Sequence, residues 1–155
     1  MLLPMVLNLI NPLMKEMHIG ELLKTNEKTK DYGLVLTAEE AKNIIEVRNN
    51  VLHSVGRVEL GLEVTKELIE NFYTSGYLNE ENYVPVLNEL QEMFYYFKNE
   101  TLDKISDQKL IGIMKEYFEK SCGGSIELLK STLEVFAEDF RRKPLTDGLS
   151  EEGDE

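Results

Sequence analysis

"TAEEAKNIIEVRNNVLHSVG", residues 37–56, decides the fold class. Thr37 stands three residues before Glu40, the arrangement in which a threonine oxygen and a glutamate carboxylate satisfy each other's orphan backbone N–H at a helix start. Ala41, Ile44, Ile45, Leu52 and Val55 then recur at helical spacing, and Gly56 can leave the helix in the left-handed conformation. The pattern predicts one helix over Ala38–Val55. One residue in it is out of character. At 100° per residue Arg48 falls near the centre of the apolar stripe, among Ile44, Ile45, Val51 and Leu52. A guanidinium there must meet a carboxylate or carbonyls, or reach a cavity, because an unpaired buried charge is strongly destabilising. Two readings follow: a buried ion pair between helices, or an anion-recognising pocket with Arg48 as bidentate donor and His53, Arg57 or Glu59 contributing. His53 lies well off the stripe, which weakens a fixed constellation.

The same punctuation recurs outward from this helix. A second helix starts near Arg57 or Val58 and carries Leu62, Thr65, Leu68, Ile69 and Phe72 before Gly76. Asn79 caps a third, with Tyr83, Leu87, Leu90, Phe94 and Phe97 as core stripe and Tyr95 and Tyr96 off it; Pro85 makes the first turn irregular or moves the start nearer Val84. Ser106 caps a fourth helix that buries Leu110, Ile113, Met114, Tyr117 and Phe118. Ser125 caps a fifth, with Ile126, Leu129, Leu133, Phe136 and Phe140 inward. The opening MLLPMVLNLINPLM, residues 1–14, lacks a cationic start and a small-residue cleavage site and is too short to span a bilayer, so it reads as a helix docked on the core. Residues 25–33 read as a polar loop, and Leu34-Val35-Leu36 is the sole extended candidate. The expected fold is all-α: a single-domain bundle of five to six helices over residues 1–143, then an acidic tail, residues 144–155, with no apolar face to bury and therefore expected to be disordered.

Composition narrows the functional classes. The 155 residues suffice for one core that buries roughly 70% of the unfolded surface. There are 29 acidic and 17 basic residues, a net charge of −12 with an isoelectric point near 4.7. Removing the five acidic residues of the tail from −12 leaves −7, so the folded part is acidic as well. Such a surface repels phosphate backbones and anionic lipid, so neither nucleic acid nor membrane is an expected partner. The one basic run, residues 141–143, complements the exposed carbonyls at the end of the last helix.

Cys122 is the one cysteine, which excludes an internal disulfide and a multi-thiolate zinc site and fits a reducing cytoplasm. It sits in "EKSCGGSIE", residues 119–127. As a helix joint, Gly123 takes the left-handed position, Gly124 turns the chain and Ser125 caps the next helix. As a reactive thiol, Cys122 would draw on the N–H groups of that helix start, but no local motif brings His18 or His53 to it as a base. The joint is the preferred reading. Phosphate-loop, zinc-protease, EF-hand and dinucleotide motifs are all missing, and no cofactor, metal or catalytic set is expected. Asn99-Glu100-Thr101 matches a glycosylation acceptor in form alone.

Three strings, TNEKTKDYGLVLTAEEA, RNNVLHSVGRVELG and NYVPVLNELQEMFYYFKNETLDKISDQKLIGIMKEYFEKSCGGSIELL, together resemble a family of small bacterial proteins of Clostridium-like Gram-positive organisms, a domain of unknown function. The likeness covers about Leu22 to Arg141. It implies a bacterial cytoplasmic protein and transfers no activity, cofactor or catalytic residue. The leading expectation is a non-enzymatic helical module that binds another protein or a second copy of itself. The rival is a small enzyme or anion-binding regulator that uses Arg48 with Cys122 or His53.

Overall fold

The capping box forms as read: the Glu40 N–H donates to Thr37 Oγ1 (3.1 Å) and the Thr37 N–H to Glu40 Oε1 (2.9 Å). The computed structural model describes residues 3–142, with side chains from residue 12 onward. Its α-helical segments are α1 Leu3–Lys24, α2 Asn26–Thr29, α3 Ala38–Val55, α4 Glu63–Phe72, α5 Tyr83–Glu100, α6 Asp107–Glu119 and α7 Ile126–Arg142, with a 3-10 turn at Lys30–Tyr32. Six of these are full helices, and the described residues form no strand. None of the described helices is long and apolar enough to cross a membrane.

Helix α5 is the axis of the bundle. Ten of its 18 residues are buried, on more than one face, because α3, α4, α6 and α7 all pack on it. Helix α1 covers the outer side of α3, and α6 packs on both α4 and α7. Phe72, Phe94, Tyr95, Phe97 and Phe118 are fully enclosed, and each such side chain contributes roughly 1.5–3 kcal/mol relative to exposure. Edge-to-face pairs Phe72–Phe118 (5.4 Å) and Phe94–Tyr95 (5.1 Å) fix ring orientation. One polar group ties three helices together. Gln91 of α5 accepts from the Thr65 hydroxyl of α4 (2.6 Å) and donates to the Ile44 carbonyl of α3 (3.2 Å), so its burial leaves no amide atom orphaned.

Several boundaries differ from the sequence reading, each for a local reason. The stretch expected to be a polar loop, residues 25–33, holds α2 and the 3-10 turn. The Asn26 side chain takes both the N–H (2.8 Å) and the carbonyl (2.9 Å) of Leu36. Residues 34–36 are thus extended, with Leu34 and Leu36 buried and Val35 exposed, but an amide side chain stands where a partner strand would be. Helix α4 starts at Glu63, not near Arg57. Helix α5 starts at Tyr83: Asn79 and Asn82 exchange side-chain bonds with each other's backbone N–H (2.8 and 2.9 Å), which makes a separate turn and leaves Pro85 in the first helical turn, where its missing N–H costs nothing. Ser106 and Ser125 cap as expected, accepting from the N–H of Lys109 (3.2 Å) and Leu128 (3.1 Å). In α6 the fully buried set is Leu110, Ile111, Met114 and Phe118, with Ile113 and Tyr117 half-buried; in α7 it is Leu129, Leu133 and Ala137, with Ile126, Phe136 and Phe140 at the edge. Residues 144–155, expected to be a disordered tail, lie outside the described residues.

Candidate functional site

Between α3 and α4 the chain crosses residues 57–62 without helix, and this segment inverts the usual pattern. Arg57 and Glu59 are held towards the protein while Val58 and Leu60 point outward, and Leu62 returns to the core. Arg48, only 3% exposed, donates to the Glu59 carbonyl (2.7 Å), to the Gly61 carbonyl and to Asn49 Oδ1 (2.7 Å). The Glu59 carboxylate accepts from the Tyr95 hydroxyl (2.6 Å). His18 Nε2 of α1 lies 3.0 Å from the Leu60 carbonyl, a bond that requires the proton on Nε2. Arg57 forks onto both carboxylate oxygens of Asp103 (2.9 and 3.2 Å) and donates to Asn99 Oδ1 (2.7 Å), while Asn99 Nδ2 donates to the Val55 carbonyl (3.0 Å). The Arg57 guanidinium also stands 5.9 Å from the Tyr95 ring centroid. Val58 and Leu60 are left 87% and 71% exposed.

The electrostatics follow from these contacts. Burial drives the Tyr95 hydroxyl far above the ordinary tyrosine range, helped by its bond to Glu59 and opposed by the charge of Arg48. The hydrogen bond from Arg57 holds Asp103 below the usual carboxylate value, and the same bond raises Arg57.

Three of the four polar candidates, Arg48, Arg57 and Glu59, are therefore joined through one segment. His53 is exposed on α3 and takes no part in these bonds. The interhelical ion pair expected for Arg48 is not what forms: its partners among the described residues are neutral oxygens. Sequence reasoning missed His18, Tyr95, Asn99 and Asp103. Tyr95, placed off the core stripe together with Tyr96, is fully buried, whereas Tyr96 is 43% exposed. Arg48 also lines an open cleft of about 690 Å³ between α1, α3 and Leu60, with Lys15, His18 and Lys42 on its walls.

Cys122 is 3% exposed, with Sγ 3.7 Å from Thr132 Oγ1. Gly123 (φ 53°) and Gly124 (φ 82°) both adopt the left-handed conformation, and the Gly124 N–H donates to the Phe118 carbonyl (2.8 Å). The stretch is a helix joint. Among the described residues no group of three or more His, Cys, Asp or Glu side chains is placed to hold a metal ion.

A family model matches residues 21–145 of this chain. The chain belongs to DUF6323, a family of unknown function. No match was found among curated proteins or among solved structures. The DUF6323 span contains Arg48, Arg57, Glu59, Tyr95 and Asp103; Lys15 and His18, on the α1 wall of the cleft, precede it.

Proposed function

We propose that the chain is a non-enzymatic helical interaction module that binds another protein through the clamped segment 57–62. The observation that carries this reading is the inverted pattern: Arg57 and Glu59 are held inward by hydrogen bonds while Val58 and Leu60 are presented to solvent. Single exposed apolar residues need no explanation, but here two sit in a frame fastened at three consecutive carbonyls, 59 to 61. A frame fixed beforehand lowers the ordering cost of association. Leu102, 69% exposed, is the sequence neighbour of the Asp103 that Arg57 holds. With a net charge of −12, the favoured occupant is a partner whose apolar cleft is rimmed by lysine or arginine, and a second copy meets like-charge repulsion. The bacterial, cytoplasmic setting implied by the sequence resemblance belongs to the same proposal, supported by the free thiol of Cys122.

The test compares the wild-type chain with the double variant Val58→Glu, Leu60→Glu. Both positions are exposed, so the variant keeps its melting temperature within a few degrees. A partner recovered in fixed stoichiometry by the wild type should lose about tenfold or more in affinity for the variant. Equal affinity would sink the reading. Sedimentation that shows a dimer abolished by the same changes would make a second copy the occupant.

A further inference from the structure

We propose that the cleft between α1, α3 and residues 59–60 binds a small organic monoanion, a carboxylate attached to an apolar body, and that Arg48 is the buried cation that receives it. Arg48 is 3% exposed, and its partners are two carbonyls and one amide oxygen. Hydrogen bonds to neutral oxygens satisfy donors but leave the full charge uncompensated, and a desolvated guanidinium is stabilised most by an anion. Three of its five N–H groups are used. Arg48 Nε is not among the buried side-chain atoms without a partner, and Arg48 lines the cleft, so this donor is not sealed in the core.

The cleft has the size and charge for such a guest. About 690 Å³ lies within the range of roughly 300–1,000 Å³ that small-molecule sites occupy. Lys15, Lys42 and Arg48 line it beside Glu16 and Glu59, and because Lys15 is paired with Glu46 the cations left for a guest are Lys42 and Arg48. Lys15 is anchored by Glu46 at 3.1 Å. A carboxylate meets the repulsion of Glu16 and Glu59 with one charge and a phosphate dianion with two, which favours the carboxylate. Met14 and Ile19 of α1, with Leu60, give an apolar body its contacts.

The experiment titrates the full chain with 3-phenylpropionate, phenyl phosphate and neutral 3-phenylpropanamide while following the Arg48 Nε–H resonance by NMR. The carboxylate should shift that resonance saturably with a Kd of about 1 mM or tighter. The amide should not saturate, and phenyl phosphate should bind more weakly than the carboxylate. Lys42→Gln, at an exposed position, should weaken the carboxylate about threefold to tenfold. An unmoved Arg48 resonance up to about 10 mM ligand, equal binding of the amide, or undiminished affinity in Lys42→Gln overturns the proposal. Tighter binding of phenyl phosphate overturns the choice of a monoanion.

Discussion

Arg48 places the two-acceptor geometry of a guanidinium on backbone rather than on a carboxylate. Arg48→Met preserves much of the stem but leaves the carbonyls of Glu59 and Gly61 without this donor. The expected cost is about 3 kcal/mol, read by urea unfolding, with faster amide exchange over residues 57–62 while α5 stays protected. An unchanged midpoint would mean that water replaces the guanidinium without penalty. Tyr83 presents the opposite case. It is 2% exposed, and its hydroxyl makes no well-formed hydrogen bond among the described residues, although the Thr29 hydroxyl lies close enough to act on it. Burial pushes Tyr83 up to about 12, with Thr29 opposing. Because the folded value is raised, this contribution is complete below the unfolded tyrosine value near 10 and is lost as pH rises towards 12. Tyr83→Phe should therefore stabilise the protein by about 1 kcal/mol at neutral pH and flatten part of the loss between about pH 10 and 12. Tyr95, raised in the same direction, adds to that loss.

At the scale of elements, helix ends separate what stability demands from what it does not. Helix α5 closes with the Leu102 N–H on the Asn99 carbonyl (2.9 Å) and the Asp103 N–H on the Lys98 carbonyl (2.9 Å), a closure whose left-handed residue is ordinarily glycine. Here it is Leu102 at φ 55°, exposed, followed by Asp103 at φ 58°. At 69% exposure, burial in the core does not account for leucine there. Leu102→Gly should raise stability by about 1 kcal/mol, seen as a melting temperature several degrees higher, and should weaken the proposed partner. The α6–α7 joint has two left-handed glycines with unequal surroundings. A Cβ on Gly124 would lie 2.4 Å from the Tyr77 ring, whereas one on Gly123 meets nothing within 4 Å. Gly123→Ala should cost about 1 kcal/mol and Gly124→Ala about 2 kcal/mol more, compared by thermal unfolding. The α6–α7 joint was legible in the sequence because a cap or a glycine stop acts within four or five residues; the closure of α5 at Leu102, which has no glycine, was not. Nor was segment 57–62. Val58, Leu62 and Thr65 continue a helical spacing, and nothing local reveals that Arg48 and Tyr95 draw the intervening backbone out of a helix.

For the whole molecule, net charge and surface pairing act in opposite senses. The charge of −12 makes the folded state self-repelling, so added salt should raise the melting temperature by a few degrees between low and physiological ionic strength. A fall instead would mean that surface pairs dominate. Arg57–Asp103 is the pair whose geometry is best, though Asp103 is 54% exposed and such a pair contributes under about 1 kcal/mol. Since the folded value of Asp103 is lowered, its contribution is present above the unfolded value near 3.9 and disappears as pH falls through the lowered one.

The sequence alone determined that the chain is all-α, that α3, α6 and α7 begin at their caps, and that Arg48 is an anomaly on a buried stripe. Helical period and capping are local, so they survive without knowledge of neighbours. Only the tertiary structure decided what Arg48 binds, that Tyr95 is buried although off the stripe, and that His18 reaches the same segment. Those partners lie 11 and 13 residues apart for Arg48, 36 for Tyr95 with Glu59 and 42 for His18 with Leu60, separations that helix packing brings together and that no sequence period encodes.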